Sequence, residues 1–390
     1  MVDPHRRTNL DIHFGHSNQS SVGIEWEMAI VDRDTLEQVP GAVHVLERVA
    51  DPEGGPIRGE YFDSMLELVS GVHERVHDAQ AELEGLLAQV IDWLEPHGLT
   101  VLAMGAHPFG DPMLQRPRAK PQYGRVAERN GWWGRQMAVN GLHVHVGVDD
   151  ADKAIQLTMG VARLSCYFIA LSAASPLWLG MDTQFASQRT MLFQQLSTNG
   201  PPHRLSDWRA YVEHVEQLAD YGMIRSASEL RWDVRPSACG TVENRLMDAM
   251  PTGWEVGAIA ALSQCVAERL SRAVEADEPI WQLPHWIMRE NKWRAARYGL
   301  DAEVMVPRLA ARHAIPMREG LAHWLAELAP IADELGCADE LARIPELAAG
   351  GPSHVRQRRV WEATGDARAV AASVVAETLR GTPLFEETRG

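Results

Sequence analysis

The sequence predicts an α+β fold, a mainly antiparallel sheet with helices packed over one of its faces. Two observations carry the prediction. Stretches that alternate apolar with polar residues recur at 22–31, 65–69, 100–103, 142–148, 231–235 and 241–247, at irregular intervals. None runs through a glycine-rich turn into a helix, which argues against a doubly wound nucleotide-binding fold.

In chain order, the first strand is GIEWEMAIV. Ile24, Trp26, Met28 and Ile30 share one face, and Glu25 and Glu27 share the other. MLELVS follows, with Glu67 opposite Leu66 and Leu68. Over 74–96, Val76, Ala79, Leu83, Leu87, Val90 and Leu94 recur at helical spacing, and Gly98 suits the left-handed position past a helix end. The strand at 100–103 leads on to GLHVHVGV, where Leu142, Val144, Val146 and Val148 alternate with His143, His145 and Gly147. A long buried helix is expected over 152–174. The apolar run CYFIALSAASPLWLGM at its end is too short for a membrane span, contains Pro176 and follows Arg163. RWDVRPS sets Arg231, Asp233 and Arg235 on one side, and TVENRLMD does the same with Thr241, Glu243 and Arg245. Helices over 254–276, 318–335 and 366–379 complete the pattern.

The bulk composition is that of a soluble globular protein, with 45% apolar and 23% charged residues. A formal net charge of −16 argues against nucleic acid or an anionic membrane as partner. No repeat or linker divides the chain, so residues 1–390 are expected to form a single catalytic domain with 1–20 a flexible N-terminal segment. The N-terminus has no apolar h-region, and Cys166, Cys239, Cys265 and Cys337 form no CxxC pair. Both features fit a reduced, cytoplasmic protein.

The polar strand faces carry the chemistry. Any solvated face is polar, but Ser, Thr or Lys would serve there, whereas Glu, His and Arg recur on strand after strand. Glu25, Glu27, Glu67 and Glu243 crowded together would repel, and divalent cations would remove that penalty. Glutamates at i and i+2 lie roughly 6.6–7 Å apart along a strand, so they can converge on one ion or hold two. The arginines suit phosphate oxygens or a substrate carboxylate. The chain contains no GxxxxGK[ST], so an ATP site would rest on metals and arginines. Trp132, Trp133, Trp281 and Trp286 read as packing residues, and Cys239 has no assigned base that would make it a nucleophile.

GIEWE, MLELVSG, HPF, WWGRQM, GLHVHVG, FASQRTMLFQQLSTNGPP, RWDVRPS, GTVENRLMD and ENKWRAARYGLDA occur in this order. Together they resemble the bacterial glutamate–cysteine ligase type 2 group of ATP-dependent carboxylate–amine ligases. The resemblance implies a glutamine-synthetase-like catalytic fold, a curved antiparallel sheet with helices on its convex face and ATP and Mg²⁺ (or Mn²⁺) on its concave face. It matches Glu25, Glu27, Glu67 and Glu243 to metal ligands and His143 to a position beside metal and nucleotide. Arg245, Arg235 and Arg189 match basic positions near the transferring phosphoryl group or acidic substrate. Glu60 matches an acidic position by its seven-residue spacing from Glu67. His145 and Asn291 match recurrent positions and are carried as nucleotide-binding candidates. The implied reaction is amide-bond formation through an acyl phosphate, on small amino-acid substrates, by a homodimer.

Two other readings compete. HVHV could supply zinc or iron ligands in a metal-dependent hydrolase. Such a barrel would normally begin with that motif and continue through regular βα units, whereas here a Glu-x-Glu strand comes first. A non-catalytic regulator that kept the fold would have little need of the intact set Glu25, Glu27, Glu67, Glu243 and Arg245.

Overall fold

The computed structural model describes residues 10–280, 283–306 and 313–385. Trp281 and the first nine residues of the N-terminal segment lie outside them. Seven strands form one sheet: β1 (Val22–Asp32), β2 (Ile57–Gly59), β3 (Met65–Val69), β4 (Leu99–Leu102), β5 (Gly141–Gly147), β6 (Val234–Ser237) and β7 (Thr241–Asp248). The order is β2-β3-β1-β5-β7-β6, with β4 beside the C-terminal end of β1, and every pairing is antiparallel. The α+β expectation is met.

Alternation decides which face is buried. Ile24, Trp26, Met28, Ile30, Leu66, Leu68, Leu142 and Val144 are at most 1% exposed and share one core with the helices Val76–Leu94 and Gly253–Glu275. Each such side chain contributes about 1.5–3 kcal/mol on burial. The Trp26 indole N–H donates to the Met250 carbonyl at 3.1 Å, so the largest buried ring leaves no polar atom unpaired. Gly98 takes φ 70°, which closes the first long helix as its sequence suggests.

The C-terminal helices are clasped onto this layer by a buried ionic group. Arg356, on Ser353–Thr364, bonds Glu377 at 2.6 and 2.9 Å and Glu255 at 2.8 Å. Three charges buried together are tolerated because nearly every polar atom finds a partner.

The structure departs from the pattern in several places. The helix expected over 152–174 is two helices, Ala151–Arg163 and Ser165–Ser172, bent by 56°. The Ser165 hydroxyl donates to the Ala162 carbonyl at 2.5 Å, competing with the backbone ladder at the break. β6 begins at Val234 rather than at residue 231, because the Asp233 N–H and carbonyl bond Gly200 and Arg245 outside the strand ladder. Trp132, Trp133 and Trp286 are 57%, 39% and 65% exposed and do not pack as expected. Trp286 stands in the first turn of His285–Tyr298, whose buried positions start at Met288, so the periodicity turns the ring outward. No single helix among the described residues is long and apolar enough to cross a membrane.

His107, of the HPF motif, pins two loops. Its Nε2 donates to the Leu36 carbonyl at 2.8 Å while Nδ1 accepts the Gly110 N–H at 2.7 Å, so the ring must be neutral. Burial pushes its pKa down to about 4. A depressed histidine contributes stability that is present above about pH 6.5 and lost as pH falls towards 4. Chemical unfolding of wild type and His107→Asn between pH 7 and pH 4 should therefore converge, the wild type losing about 3 kcal/mol more. Parallel acid limbs would contradict this assignment.

Candidate active site

Three cross-strand rows make up the polar face. Arg58, Glu67 and Glu27 lie side by side across β2, β3 and β1; Glu25 faces His143 across β1 and β5; His145, Glu243 and Arg235 align across β5, β7 and β6. Like charges directly opposite one another destabilise a sheet, so the Glu27–Glu67 pair requires compensation.

That compensation is uneven. Burial pushes the Glu25 carboxyl up, but hydrogen bonds with His143 (2.8 Å) and His145 (3.3 Å) outweigh it and hold Glu25 well below the carboxylate range. Glu243 is likewise raised by burial and then driven far down by Arg235, at 2.6 Å, and by Arg245, which also bonds it. Glu27 is different: burial, then repulsion from Glu60, lifts it to about 8 despite Arg189 and the Gly141 N–H. Burial and the neighbouring Glu25, Glu60 and Glu27 raise Glu67 well above its usual range, and burial also raises Glu60. One half of the face is balanced by internal cations, and the other half holds carboxyls that cannot all ionise.

The donor set fits a divalent cation. Three trios, Glu25–His145–Glu243, Glu25–Glu67–His143 and Glu27–Glu60–Glu67, each bring one ligand atom per residue within 4.8 Å of one another. Burial, aided by Arg245, lowers His143 to about 4, so its ring is neutral. With Nδ1–H donated to Glu25, its Nε2 lone pair lies 3.7 Å from Glu27 Oε1. That contact is relieved by the proton that Glu27 retains or, in its place, by a cation between the two groups. Oxygen-dominated ligands with a few imidazoles suit Mg²⁺ or Mn²⁺ rather than a thiolate-preferring metal.

Beside the carboxylates lies a cavity of about 190 Å³, bounded by Glu27, Glu60, His143, Arg189, Arg231 and Arg245, with Tyr61, Tyr123 and Phe193 on its apolar wall. Arg189 reaches it from the helix Gln188–Phe193, capped by Ser187, whose hydroxyl also donates to Asp248 at 2.7 Å. Gly141 has no side chain in the path of that guanidinium; a β-carbon there would collide with it. The Arg189 guanidinium hydrogen-bonds only two carbonyls, each at 3.5 Å, and stacks over Phe193 at 5.3 Å, and burial lowers its pKa. Arg231 makes one such contact, to Glu229, and is pulled down to about 10 by burial and by Arg245 and Arg235. Neither bonds a carboxylate among the described residues, so both are open to an anionic ligand.

Of the residues singled out in the sequence, Glu25, Glu27, Glu67, Glu243, His143, His145, Arg235, Arg245 and Arg189 converge on this face, as does Glu60. Asn291 does not. Its amide is used up on the backbone of Met305, accepting at 2.8 Å and donating at 2.9 Å. Its neighbour Lys292 holds Asp233 at 2.7 and 2.8 Å in a buried pair, which gives the ENKW segment a structural task. Pattern reading set Arg231 on the polar face without naming it as a site residue, and gave Arg58 and the tyrosine wall no role. Arg231 shares the polar parity of Arg235, the one signal that could have found it.

The family described as "Glutamate-cysteine ligase family 2" matches residues 21–373. A protein of Paenarthrobacter aurescens (strain TC1), provisionally named a glutamate–cysteine ligase 2, is 42% identical over 382 residues, 95% of this chain and 99% of that one. A namesake from Leifsonia xyli subsp. xyli is 40% identical over 373 residues, 95% of this chain and 98% of its own length. Among solved structures, a glutamate–cysteine ligase from Francisella tularensis in complex with AMP superimposes with TM-score 0.70 at 14% identity, covering 96% of this chain and 91% of that one. A bifunctional glutathione synthetase from Pasteurella multocida gives TM-score 0.63 at 17% identity, over 92% of this chain and 51% of that one. At these identities the two structures speak to the fold alone.

The charge imbalance has a thermodynamic consequence. A carboxyl whose pKa is raised on folding costs stability above its unfolded value, and the cost grows until pH passes the folded pKa. In chelator at pH 8.5, Glu67→Gln should stabilise the metal-free protein by about 1–3 kcal/mol, with the gain vanishing near pH 4.5. Thermal melts at the two pH values check this; a variant no more stable than wild type at pH 8.5 would show that Glu67 is already neutralised.

Proposed function

The chain belongs to glutamate–cysteine ligase family 2 and is an ATP-dependent ligase; from that premise we propose that it joins the γ-carboxylate of glutamate to the amine of cysteine. The observation that carries this reading is the pairing of under-neutralised carboxyls with a cavity that holds two unpaired guanidiniums, Arg189 and Arg231. An acid substrate with a second carboxylate supplies the anion those guanidiniums lack, while its reacting carboxylate lies towards Arg245. A monocarboxylate would leave them unpaired in a buried site, at a cost of roughly 1–3 kcal/mol or more.

Glu25, Glu27, Glu60, Glu67, Glu243 and His143 are the residues proposed to hold Mg²⁺, with Mn²⁺ an acceptable substitute. When bound, the ion neutralises phosphate oxygens and polarises the phosphorus for attack. The protein's own residues do the rest by position and charge. The γ-carboxylate oxygen attacks the γ-phosphorus of ATP and the bond to ADP breaks, giving an acyl phosphate. Arg245, drawn up by Glu243 to lie against the sheet, stabilises charge on the transferring group, with Arg235 on the other side of the same carboxylate. The amine nitrogen then attacks the acyl carbon, phosphate leaves, and the nitrogen gives up a proton. Tyr61, Tyr123 and Phe193 line the cavity, and apolar walls there would shield the acyl phosphate from water. A homodimer is the assembly we propose, on the family resemblance.

The decisive measurement is ADP release over a panel of acids and amines, with mass spectrometry of the product. The expected result is turnover that needs Mg²⁺, a dicarboxylic amino acid and an amine together. Equal rates with monocarboxylates, or ADP release that ignores both substrates, would overturn the reading. Glu67→Gln should cost on the order of 100-fold or more in turnover although it stabilises the metal-free fold. Arg231→Ala should raise KM for the acid at least about tenfold with little change in KM for ATP. A uniform loss in both would make Arg231 a structural residue.

A further inference from the structure

Outside the active site, one pair of nucleophilic side chains is brought together from distant parts of the chain. Cys265, in the helix Gly253–Glu275, and Cys337, the residue before the helix Ala338–Leu341, are 72 positions apart in sequence, and their sulfurs are 3.5 Å apart. Both are buried, whereas Cys166 is buried elsewhere and Cys239 is exposed. The sequence reading, which saw no CxxC and no framework, had no signal for this contact. A disulfide has S–S of about 2.05 Å, so closing the pair takes a movement of roughly 1.5 Å, within reach of side-chain torsions. Cys337 follows the left-handed Gly336 at the end of the helix Met317–Leu335, and since both sulfurs are buried in the core an oxidant reaches them only through local opening of this turn.

We propose that Cys265 and Cys337 are a modification site, a dithiol that a small hydroperoxide converts to an intramolecular disulfide. The Cys337 thiolate attacks the distal peroxide oxygen; the O–O bond breaks, and water or an alcohol leaves, forming a sulfenic acid. The Cys265 sulfur then attacks the Cys337 sulfur; the S–O bond breaks, and the hydroxyl departs as water with the Cys265 proton. Two thiols and one hydroperoxide become one disulfide, one alcohol or water, and one further water. The contact between the sulfurs is symmetric, either one serving as donor, and the same steps balance with the two cysteines exchanged.

The cross-link would brace the helical layer, not the catalytic face. One residue before Cys265, Gln264 bonds the carbonyls of Ser20, at the entry to β1, and Glu74, at 2.8 and 3.0 Å. Joining this helix to the turn at Cys337 closes a long loop and removes conformational freedom from the unfolded chain. It also captures the sulfenic acid before further, irreversible oxidation.

The test is limited hydrogen peroxide treatment of the full-length protein, followed by non-reducing peptide mapping and thermal melts. The expected result is a Cys265–Cys337 linked peptide and a melting temperature about 5–10 °C higher, both reversed by dithiothreitol. Cys239→Ala should retain the rise, and Cys265→Ala and Cys337→Ala should lose it. Recovery of both residues as free thiols while Cys239 oxidises, or as sulfinic acids, or in linkage with another cysteine, would overturn the proposal. Peptide mapping of the wild type decides this even if a core variant fails to fold.

Discussion

Glu27 and Glu67 face each other across two adjacent strands, with Glu60 close behind, in a place too dry for all three to ionise. Everything around the site answers that repulsion. On one flank the fold supplies its own cations, so Glu25 and Glu243 stay charged against histidines and arginines. On the other flank it supplies too few, and the carboxyls wait for protons or for divalent ions. A sheet selected for stability alone would not keep this arrangement. Its cost is what the proposed metal site would relieve.

Holding such a face in shape falls to buried polar contacts away from the chemistry. Asp248 anchors Ser187, Ser187 caps the helix that carries Arg189, and Gly141 clears that arginine's path to the sheet. Lys292 neutralises Asp233 where β6 is about to begin, and the Arg235 and Glu243 side chains then meet across the next ladder. Behind the sheet, the apolar side chains of β1, β3 and β5 join the long helices in one core. The Arg356 clasp ties the C-terminal helices to that layer. The same helical layer brings Cys265 and Cys337 into contact, so the chain's one close thiol pair among the described residues lies in its scaffold rather than in its site.

Much of this was legible along the chain. The parity of GIEWEMAIV, MLELVS and GLHVHVGV separates core from polar face, because a strand's side chains alternate strictly and one face must leave water. The convergence of Glu25, Glu27, Glu67, Glu243, the two histidines, Arg235 and Arg245 follows from that parity once the ordered motifs suggest a fold, whereas Arg189 comes from a helix and was matched only by the resemblance. Short elements were not legible: β2 has three residues, too few to show a period. The break at Leu164 was hidden because the helices on either side of it are both apolar.

Asn291 marks the boundary most clearly. Its motif was recognisable, yet its amide serves the Met305 backbone, and nothing local to ENKW distinguishes a ligand contact from a backbone one. Arg231 is the converse, an arginine whose parity was plain and whose lack of an anion is visible only when every neighbour is in place. Periodicity and charge along the chain were sufficient for the α+β class, the buried face and the acidic and basic character of the polar one, since these depend on residues one or two apart. Which carboxyls are neutralised, which guanidiniums remain open and which two sulfurs touch are decided by contacts between residues tens to hundreds of positions apart. Those contacts exist only after the sheet has closed against its helices.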